Sequence, residues 1–124
     1  DLATGARRWE YLTGDIVHGS PALLPGGAVA VGGLDGDVVA IDTVAGARRW
    51  RCGVGAPVSA SPAVGDDATV YVADHAGRVS AIDGFTGRAR WTREVGGMLC
   101  ASPAIARNGT VVVGSMDRRL AGLH

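Results

Sequence analysis

A chain of 124 residues, 47% apolar and 19% charged, has the size and composition of one packed domain, which excludes a disordered segment. Its twelve basic residues balance its twelve acidic ones, so no overall field attracts nucleic acid or an anionic membrane. No apolar run approaches the ~20 residues of a membrane-spanning helix, and no charged-then-apolar leader precedes Asp1. We therefore expect neither nucleic-acid binding nor direct membrane insertion.

One pattern of residues recurs every 41 positions. The stretch DLATGARRW ends at Trp9, AIDTVAGARRW ends at Trp50, and AIDGFTGRARW ends at Trp91. Three further sets keep this spacing: Asp1, Asp42 and Asp83; Gly5, Gly46 and Gly87; and the Ser-Pro pairs that begin at Ser20, Ser61 and Ser102. We predict one segment, residues 1–124, built from three repeats at 1–41, 42–82 and 83–123.

Four strands, A to D, are predicted in chain order within the second repeat. Residues 59–64 are a short apolar run that predicts strand A, and residues 65–68 are a turn. TVYVAD predicts strand B, with Val70 and Val72 on one face and Tyr71 on the other. Residues 74–78 separate strand B from strand C, VSAID, and residues 84–87 lead into strand D, RARWTREV.

The turns between these strands are short and carry turn chemistry. Gly87 suits a left-handed turn position, and Asp83 can accept hydrogen bonds from the turn backbone. In the third repeat, Asn108-Gly109 is a strong hairpin signal because both residues tolerate positive φ. Turns of this length join only antiparallel neighbours, since a parallel crossover needs a dozen residues or more. The sequence therefore predicts an all-β chain of four-stranded antiparallel meanders.

Repeats of this length, with four strands and one tryptophan each, are typical of a β-propeller. A β-solenoid would use shorter coils, and a sandwich would not keep the same turn residues at a fixed period. Counting strands gives an N-terminal strand D over roughly residues 6–13, two complete blades, and strands A, B and C of a third. About three blades are thus present, one of them split between the termini, where residues 6–13 could close it.

Three blades should not close into a ring, since known propellers have ~4 to 8. The first residue falls inside a repeat, and His124 occupies the position of Asp42 and Asp83. We therefore expect a longer parent protein, whose other blades are the first partners of this segment. The alternative is a six-bladed ring in which two chains exchange their D strands.

The pattern A-x-D-x-x-T-G-x-x-x-W resembles the pyrroloquinoline quinone (PQQ) enzyme repeat, over the whole chain. The family includes the propellers of quinoprotein alcohol dehydrogenases and of the outer-membrane assembly lipoprotein, which share the repeat but not the activity. The resemblance implies that Trp9, Trp50 and Trp91 are docking tryptophans between neighbouring blades. It also favours an extracytoplasmic location, periplasmic or secreted, because many relatives work outside the cytoplasm.

The turns between strands B and C are the first candidate for function, because propellers usually place function in rim loops. They read GLDGD, DHAGR and SMDRR, and their variation contrasts with the constant core positions. The candidate contact residues are Asp35, His75, Asp117 and Arg119. The competing interpretation is that they are solvated hairpin turns, since loops are normally polar and variable.

A second candidate is one position of the repeat near the start of the innermost strand, occupied by His18, Ser59 and Cys100. These residues could line the channel as a polar ring for a ligand or metal, or bind only ordered water. Cys52 is predicted on an outermost strand and Cys100 on an innermost one, about three strand spacings, or ~14 Å, apart. Because a disulfide needs Cα atoms within ~7 Å, we expect two free thiols.

No cofactor is predicted within this segment. The quinoproteins that it resembles hold PQQ against adjacent cysteines and a calcium ion against Glu and Asn, but the sequence contains no Cys-Cys pair. Its one asparagine, Asn108, lies in a predicted hairpin turn, and Glu10 and Glu94 lie on D strands. No local motif of a nucleophile, a metalloprotease, a P-loop or a dinucleotide fold is present.

Three functions follow as hypotheses. The favoured one is a non-catalytic propeller segment that acts as a scaffold or protein-interaction module. The second is part of a PQQ- and calcium-dependent alcohol or sugar dehydrogenase whose catalytic residues, and whose cofactor and calcium, lie outside these 124 residues. The third is a sensor domain of a larger membrane protein or enzyme. Resemblance in fold does not separate them.

Overall fold

Eleven β-strands and no helix make up the fold of residues 1–124 in a computed structural model. Blade 1 consists of β1 (Ala22–Leu24), β2 (Ala28–Gly32), β3 (Asp37–Asp42) and β4 (Arg48–Gly53). Blade 2 consists of β5 (Ala63–Val64), β6 (Thr69–Ala73), β7 (Arg78–Asp83) and β8 (Ala89–Glu94). Blade 3 consists of β9 (Ala104–Ile105), β10 (Val111–Gly114) and β11 (Leu120–Leu123).

Each blade is an antiparallel meander in which sequence neighbours are also spatial neighbours. Blades 1 and 2 share a β-bulge at one repeat position, between Ala40 and Ile41 in the first and between Ala81 and Ile82 in the second. The bulge leaves Arg49 and Arg90 out of the pairing, and their guanidinium groups contact Asp42 and Asp83. The predicted all-β propeller of four-stranded blades is therefore confirmed.

The core lies between the blades, not within any one of them. The larger apolar cluster joins Val38, Ala40 and Trp50 of blade 1 to Val70 and Ile82 of blade 2, among others. A smaller cluster joins blade 2 to blade 3 through Ala73, Val79, Leu99 and Val113. Val70 and Val72 are buried and Tyr71 is half-buried, which matches the alternation predicted for strand B. Blade-to-blade stacking therefore provides the burial that stabilises the fold.

The innermost strands are shorter than predicted. Residues 59–64 were expected to form one strand, but only Ala63 and Val64 pair in β5. Pro62 has no N–H group to contribute to a ladder, and the N–H of Ser61 donates to Ser102 Oγ of the next blade instead. The prediction therefore overextended strand A by the residues that turn toward a neighbouring blade.

The N-terminal segment is a second correction. Residues 6–13 form no strand, and blade 3 remains three-stranded because these residues do not reach β11. They lie instead against blade 1, where Trp9 Nε1 donates to the carbonyl of Thr43 at 2.8 Å. Residues 6–13 therefore lie at the opposite end of the array from blade 3, and the closure that they could provide in a complete ring stays a prediction.

The turns between the third and fourth strands share one conformation. The N–H of Gly46 donates to the Asp42 carbonyl at 2.9 Å, and the N–H of Gly87 donates to that of Asp83 at 2.8 Å. Both glycines have positive φ, 68° and 74°, as the sequence predicts for Gly87. In the hairpin turn of the third repeat, positive φ occurs at Gly109 but not at Asn108.

Candidate functional site

One rim of the molecule has a repeating backbone framework. The turns between the second and third strands of the blades each bond to the linker that precedes the blade. The N–H of Leu34 donates to Ile16 O at 3.0 Å, that of His75 to Pro57 O at 2.9 Å, and that of Met116 to Met98 O at 3.0 Å. We call this surface the linker rim; it comprises residues 14–21, 33–36, 54–62, 74–77, 95–103 and 115–118.

The linkers also bond to the turn of the blade that they leave. The N–H of Val58 donates to Gly33 O at 3.0 Å, and that of Leu99 donates to Asp74 O at 3.3 Å. Each linker between blades therefore connects two successive turns, so the backbone of the linker rim is continuous from blade 1 to blade 3.

The predicted contact residues of these turns serve mainly local interactions. Asp35 is exposed, and its Oδ1 accepts a hydrogen bond from the N–H of Asp37. Asp117 and Arg119 lie in one turn with 3.6 Å between Asp117 Oδ2 and Arg119 Nε. No hydrogen bond or ion pair joins Asp35, His75 and Asp117 to one another, so the structure does not bring them into one site.

The structure joins two residues from separate predicted groups, the channel position and the turns between the second and third strands. Ser59 Oγ lies 2.8 Å from His75 Nε2, and both side chains are half-buried. The other ring nitrogen of His75 has no hydrogen-bond partner, and the neighbouring carboxylate of Asp74 bonds to Ala76 and Arg78 instead. The pair therefore lacks the orienting carboxylate of a catalytic triad.

The equivalent pair in blade 3 consists of two sulfur atoms. The thiol of Cys100 lies 3.8 Å from the Met116 sulfur, and both residues are exposed. Cys100 was predicted from the sequence but Met116 was not, although Met116 occupies the repeat position of His75. His18 is exposed and has no hydrogen-bond partner in blade 1. The repeat position shared by His18, Ser59 and Cys100 thus presents an imidazole, a hydroxyl and a thiol on the linker rim.

Asp74 was not among the predicted contact residues either, although it begins the predicted turn DHAGR. Its carboxylate is buried and accepts hydrogen bonds from the backbone of Ala76 and Arg78 and from Arg78 Nε. Arg78 Nη2 in turn donates to Val54 O at 2.8 Å. The group anchors the turn of blade 2 to the linker from blade 1, so its role is structural.

The Ser-Pro pairs form a ladder between the innermost strands. The N–H of Ser20 donates to Ser61 Oγ at 2.7 Å, and the N–H of Ser61 donates to Ser102 Oγ at 3.1 Å. Gly19 permits this contact, because a Cβ there would lie 2.6 Å from Ala60 O. Each blade therefore bonds to the next at the centre of the array.

Two tryptophans occupy equivalent junctions at the blade edge. Trp50 Nε1 donates to Gly84 O at 2.7 Å, as Trp9 Nε1 does to Thr43 O. A Cβ on Gly87 would lie 2.8 Å from atoms of Trp50, so the indole is placed directly on this turn. Trp91 is half-buried; its ring centre lies 6.0 Å from that of Tyr71, and its indole N–H has no acceptor.

The residues present do not fit PQQ with calcium. Cys52 is half-buried on β4, Cys100 is exposed, and both thiols are free. Burial, and to a smaller extent the negative charge of Asp37, raises the pKa of the Cys52 thiol. Asn108 Oδ1 accepts a hydrogen bond from the N–H of Thr110 in a hairpin turn. No three His, Cys, Asp or Glu side chains lie close enough together to hold a metal ion.

The structure also contains no helix long and apolar enough to cross a bilayer.

A model of the family described as outer membrane protein assembly factor BamB matches residues 1–67 and 34–124, which together cover the chain. No curated protein sequence matches this chain. BamB from Moraxella catarrhalis is 26% identical with a TM-score of 0.77; the match covers 93% of this chain and 36% of that one.

Two other solved structures are similar. Quinohemoprotein alcohol dehydrogenase from Comamonas testosteroni is 25% identical with a TM-score of 0.70, over 81% of this chain and 17% of that one. The WD40 propeller domain of Doa1 has a TM-score of 0.79 at 17% identity, over 88% of this chain and 36% of that one, which shows likeness of fold alone. The chain thus spans about a third of the BamB structure and about a sixth of the dehydrogenase. It belongs to the PQQ-like propeller family that includes BamB.

Proposed function

We propose that this chain is a non-catalytic PQQ-like propeller segment that acts as a scaffold or protein-interaction module, with the linker rim as its binding surface. The observation that carries the proposal is the contrast between a repeated backbone and changing side chains on that rim. The same hydrogen bond is made by Leu34, His75 and Met116, yet these residues are aliphatic, imidazole and thioether. A rigid frame with variable side chains is what a specific protein contact requires.

Exposed apolar side chains on the linker rim support a protein partner over a small polar ligand. Ile16 is 59% exposed and Met116 is 69% exposed, and Met98 and Val17 are also solvent-accessible. Met98 and Met116 are neighbours, since the N–H of Met116 donates to Met98 O. Neighbouring exposed apolar residues commonly mark protein-binding surfaces, and flexible methionines adapt to a partner's shape. The description of the family as an assembly factor agrees with a role in binding other proteins.

Site-specific photo-crosslinking tests this proposal. A photoreactive amino acid at Met116 should yield discrete adducts with a partner protein in the source organism. The matched control is Phe85, which is 65% exposed but lies in a turn outside the linker rim. Adducts at Phe85 and none at Met116 would move the binding surface to the opposite rim, and adducts at neither position would reject the interaction role.

A second candidate function rests on the similarity to quinohemoprotein alcohol dehydrogenases. Under this alternative the chain is part of an enzyme whose PQQ, calcium and catalytic residues lie elsewhere in the parent protein. Titration of the whole parent protein, not of this chain alone, with PQQ in the presence and absence of calcium discriminates the two. We expect no calcium-dependent change in PQQ absorbance, whereas saturable binding would favour the dehydrogenase.

We further propose an extracytoplasmic location, on the family description alone. Fractionation of the source organism with an antibody against the chain tests it. Recovery with periplasmic or secreted proteins is the expected result, and recovery with cytosolic enzymes would reject it.

A further inference from the structure

Sulfur-containing side chains gather at one place on the linker rim, where the linker from blade 2 meets the turn between β10 and β11. Both methionines of the chain, Met98 and Met116, lie there together with Cys100, one of its two cysteines. The sulfur atoms of Cys100 and Met116 are 3.8 Å apart. The first and second repeats have no sulfur at these positions, so this chemistry is confined to the third repeat.

Backbone hydrogen bonds hold the two segments that carry these side chains. The N–H of Met116 donates to Met98 O at 3.0 Å, and Ser115 Oγ donates to Gly96 O at 3.0 Å. On its other side the linker is fixed to blade 2, since the N–H of Leu99 donates to a carbonyl of the blade 2 turn at 3.3 Å. The sulfur atoms therefore sit on a backbone that is already ordered, as a binding site requires.

The linker directs Met98 and Cys100 to the same side. Leu99 between them is buried in the apolar cluster that joins blades 2 and 3, whereas Met98 and Cys100 are exposed. This alternation is that of an extended segment, in which successive side chains point in opposite directions. The two residues that flank Leu99 therefore face away from the core, on the side where Cys100 contacts Met116.

The contact between the two sulfur atoms does not depend on the open end of the blade array. In blade 2, which has a blade on each side, the positions of Cys100 and Met116 are occupied by Ser59 and His75. Their side chains also meet, at 2.8 Å, and both are half-buried. A further blade beside blade 3 would therefore leave the sulfur atoms in contact and within reach of a small ion.

We propose that Cys100, Met116 and Met98 form a binding site for a soft monovalent metal ion, copper(I). The ligands decide the class of ion, because thiolate and thioether sulfur select Cu(I), whereas carboxylate and carbonyl oxygens suit magnesium or calcium. Zinc needs further nitrogen, oxygen or thiolate ligands. The site does not supply them, since no three His, Cys, Asp or Glu side chains lie close together.

The distance between the two sulfur atoms fits one shared ion. In zinc sites a metal–thiolate bond is ~2.3 Å long, and two sulfurs at tetrahedral or trigonal angles around such an ion lie ~3.8 to 4.0 Å apart. Cys100 Sγ and Met116 Sδ already have this separation, at 3.8 Å. The thiol must lose its proton to solvent on binding, and no electron is transferred. The single negative charge of the thiolate then neutralises the single positive charge of Cu(I).

Competition for Cu(I) tests the site in the whole protein that contains this chain. The probe is Cu(I) buffered by bicinchoninate, a chromogenic chelator, with a reductant and without oxygen. The unmodified protein should bind one more ion than Cys100→Ser, which introduces the side chain that blade 2 has at this position, at Ser59. Equal binding by the two proteins would overturn the proposal and leave Met98 and Met116 as apolar contacts of the protein-binding surface.

The matched control is Cys52→Ser, which removes the other thiol, on β4 of blade 1 and away from both methionines. It should bind as many ions as the unmodified protein. The same loss in Cys52→Ser as in Cys100→Ser would show binding by any free thiol and would overturn the site.

Replacing each methionine tests the thioether ligands. Met116→Leu introduces the side chain that blade 1 has at this position, at Leu34, and Met98→Leu keeps a similar volume. Each should weaken Cu(I) binding by at least ~10-fold, the smallest loss typical even for a residue that only supports a metal ligand. Unchanged affinity in both variants would overturn the thioether ligands.

X-ray absorption at the copper edge keeps the test decisive if a variant fails to fold. The unmodified protein, loaded with one equivalent of Cu(I), should show a shell of sulfur neighbours alone. A shell of nitrogen or oxygen neighbours would overturn the proposal, because Cys100, Met98 and Met116 offer only sulfur.

Discussion

Blade 1 and blade 2 carry equivalent residues but bury them differently. Val70 and Val72 of blade 2 are buried, whereas Val29 and Val31, one repeat earlier, are half-buried. Blade 2 is packed between two blades, but only residues 6–13 and the start of the first linker cover this face of blade 1. A cavity of about 220 Å³ remains there, lined mainly by apolar side chains. The difference shows that a repeat's stability depends on its neighbours as much as on its own sequence.

The largest expected effect compares two docking tryptophans. Trp50→Ala should lower the free energy of unfolding by about 3 to 5 kcal/mol, because its indole is buried between blades 1 and 2. Trp91→Ala should cost about 1 to 2 kcal/mol in the single chain, because Trp91 is half-exposed there. Denaturant unfolding at low protein concentration measures both. A loss below about 1 kcal/mol for Trp50→Ala would reject its role as a buried wedge.

Replacing equivalent valines by alanine tests whether blade 2 is better covered than blade 1. Val70→Ala should cost about 2 kcal/mol, since it removes two methyl groups from a fully enclosed position. Val29→Ala, the same change one repeat earlier, should cost less than about 1 kcal/mol because water already reaches the side chain. Thermal unfolding of the two variants gives the difference. Equal losses would mean that residues 6–13 cover blade 1 as well as a whole blade does.

Blades 2 and 3 differ at one turn position, which is Gly77 in blade 2 and Arg118 in blade 3. Gly77 has φ of 82° and a Cβ there would lie 2.4 Å from Gly97 O, so Gly77→Ala should destabilise the chain by at least about 2 kcal/mol. At the same repeat position, Arg118 has φ of 71° and is exposed. Arg118→Gly should therefore stabilise by about 0.5 kcal/mol, since it relieves the strained backbone. Chemical denaturation of both variants tests the sign, and destabilisation by Arg118→Gly would contradict it.

The smallest expected effect is the loss of folding stability at acid pH. Backbone hydrogen bonds, led by that from Ala45, and the Arg49 guanidinium lower the pKa of Asp42 to about 2. Arg90 and the backbone of Phe85 and Thr86 lower that of Asp83 to about 2. Because the folded pKa lies below the unfolded value of ~3.9, the stabilisation is complete above that value and is lost as pH falls toward 2.

Carboxyl carbon chemical shifts, followed by NMR between pH 5 and pH 1.5, measure these two titrations. Asp42→Asn and Asp83→Asn variants should each lose stability less steeply with acid than the unchanged chain. Midpoints near 4 for both carboxylates would contradict the predicted turn hydrogen bonds.

Much of the fold could be predicted because its signals are local and repeated. Alternation placed Val70 and Val72 on one face of a strand, and the glycine before Trp91 marked a turn. The candidate site was less accessible to prediction. Ser59 and His75 were each selected, but their hydrogen bond joins a linker to a turn 16 residues away, and no local pattern reveals such a contact. Met116 and Asp74 were missed because neither forms a motif by itself.

The sequence by itself determined the period, the all-β class, the positions of the turns and the family, because each follows from residues close together in the chain or from exact spacing. Only the tertiary structure decided where residues 6–13 lie, which valines are buried, and which side chains meet on the linker rim. Those features depend on contacts between whole blades. A periodic sequence specifies the unit and its junction, but the number of units and the cover of the end faces depend on what packs beside them.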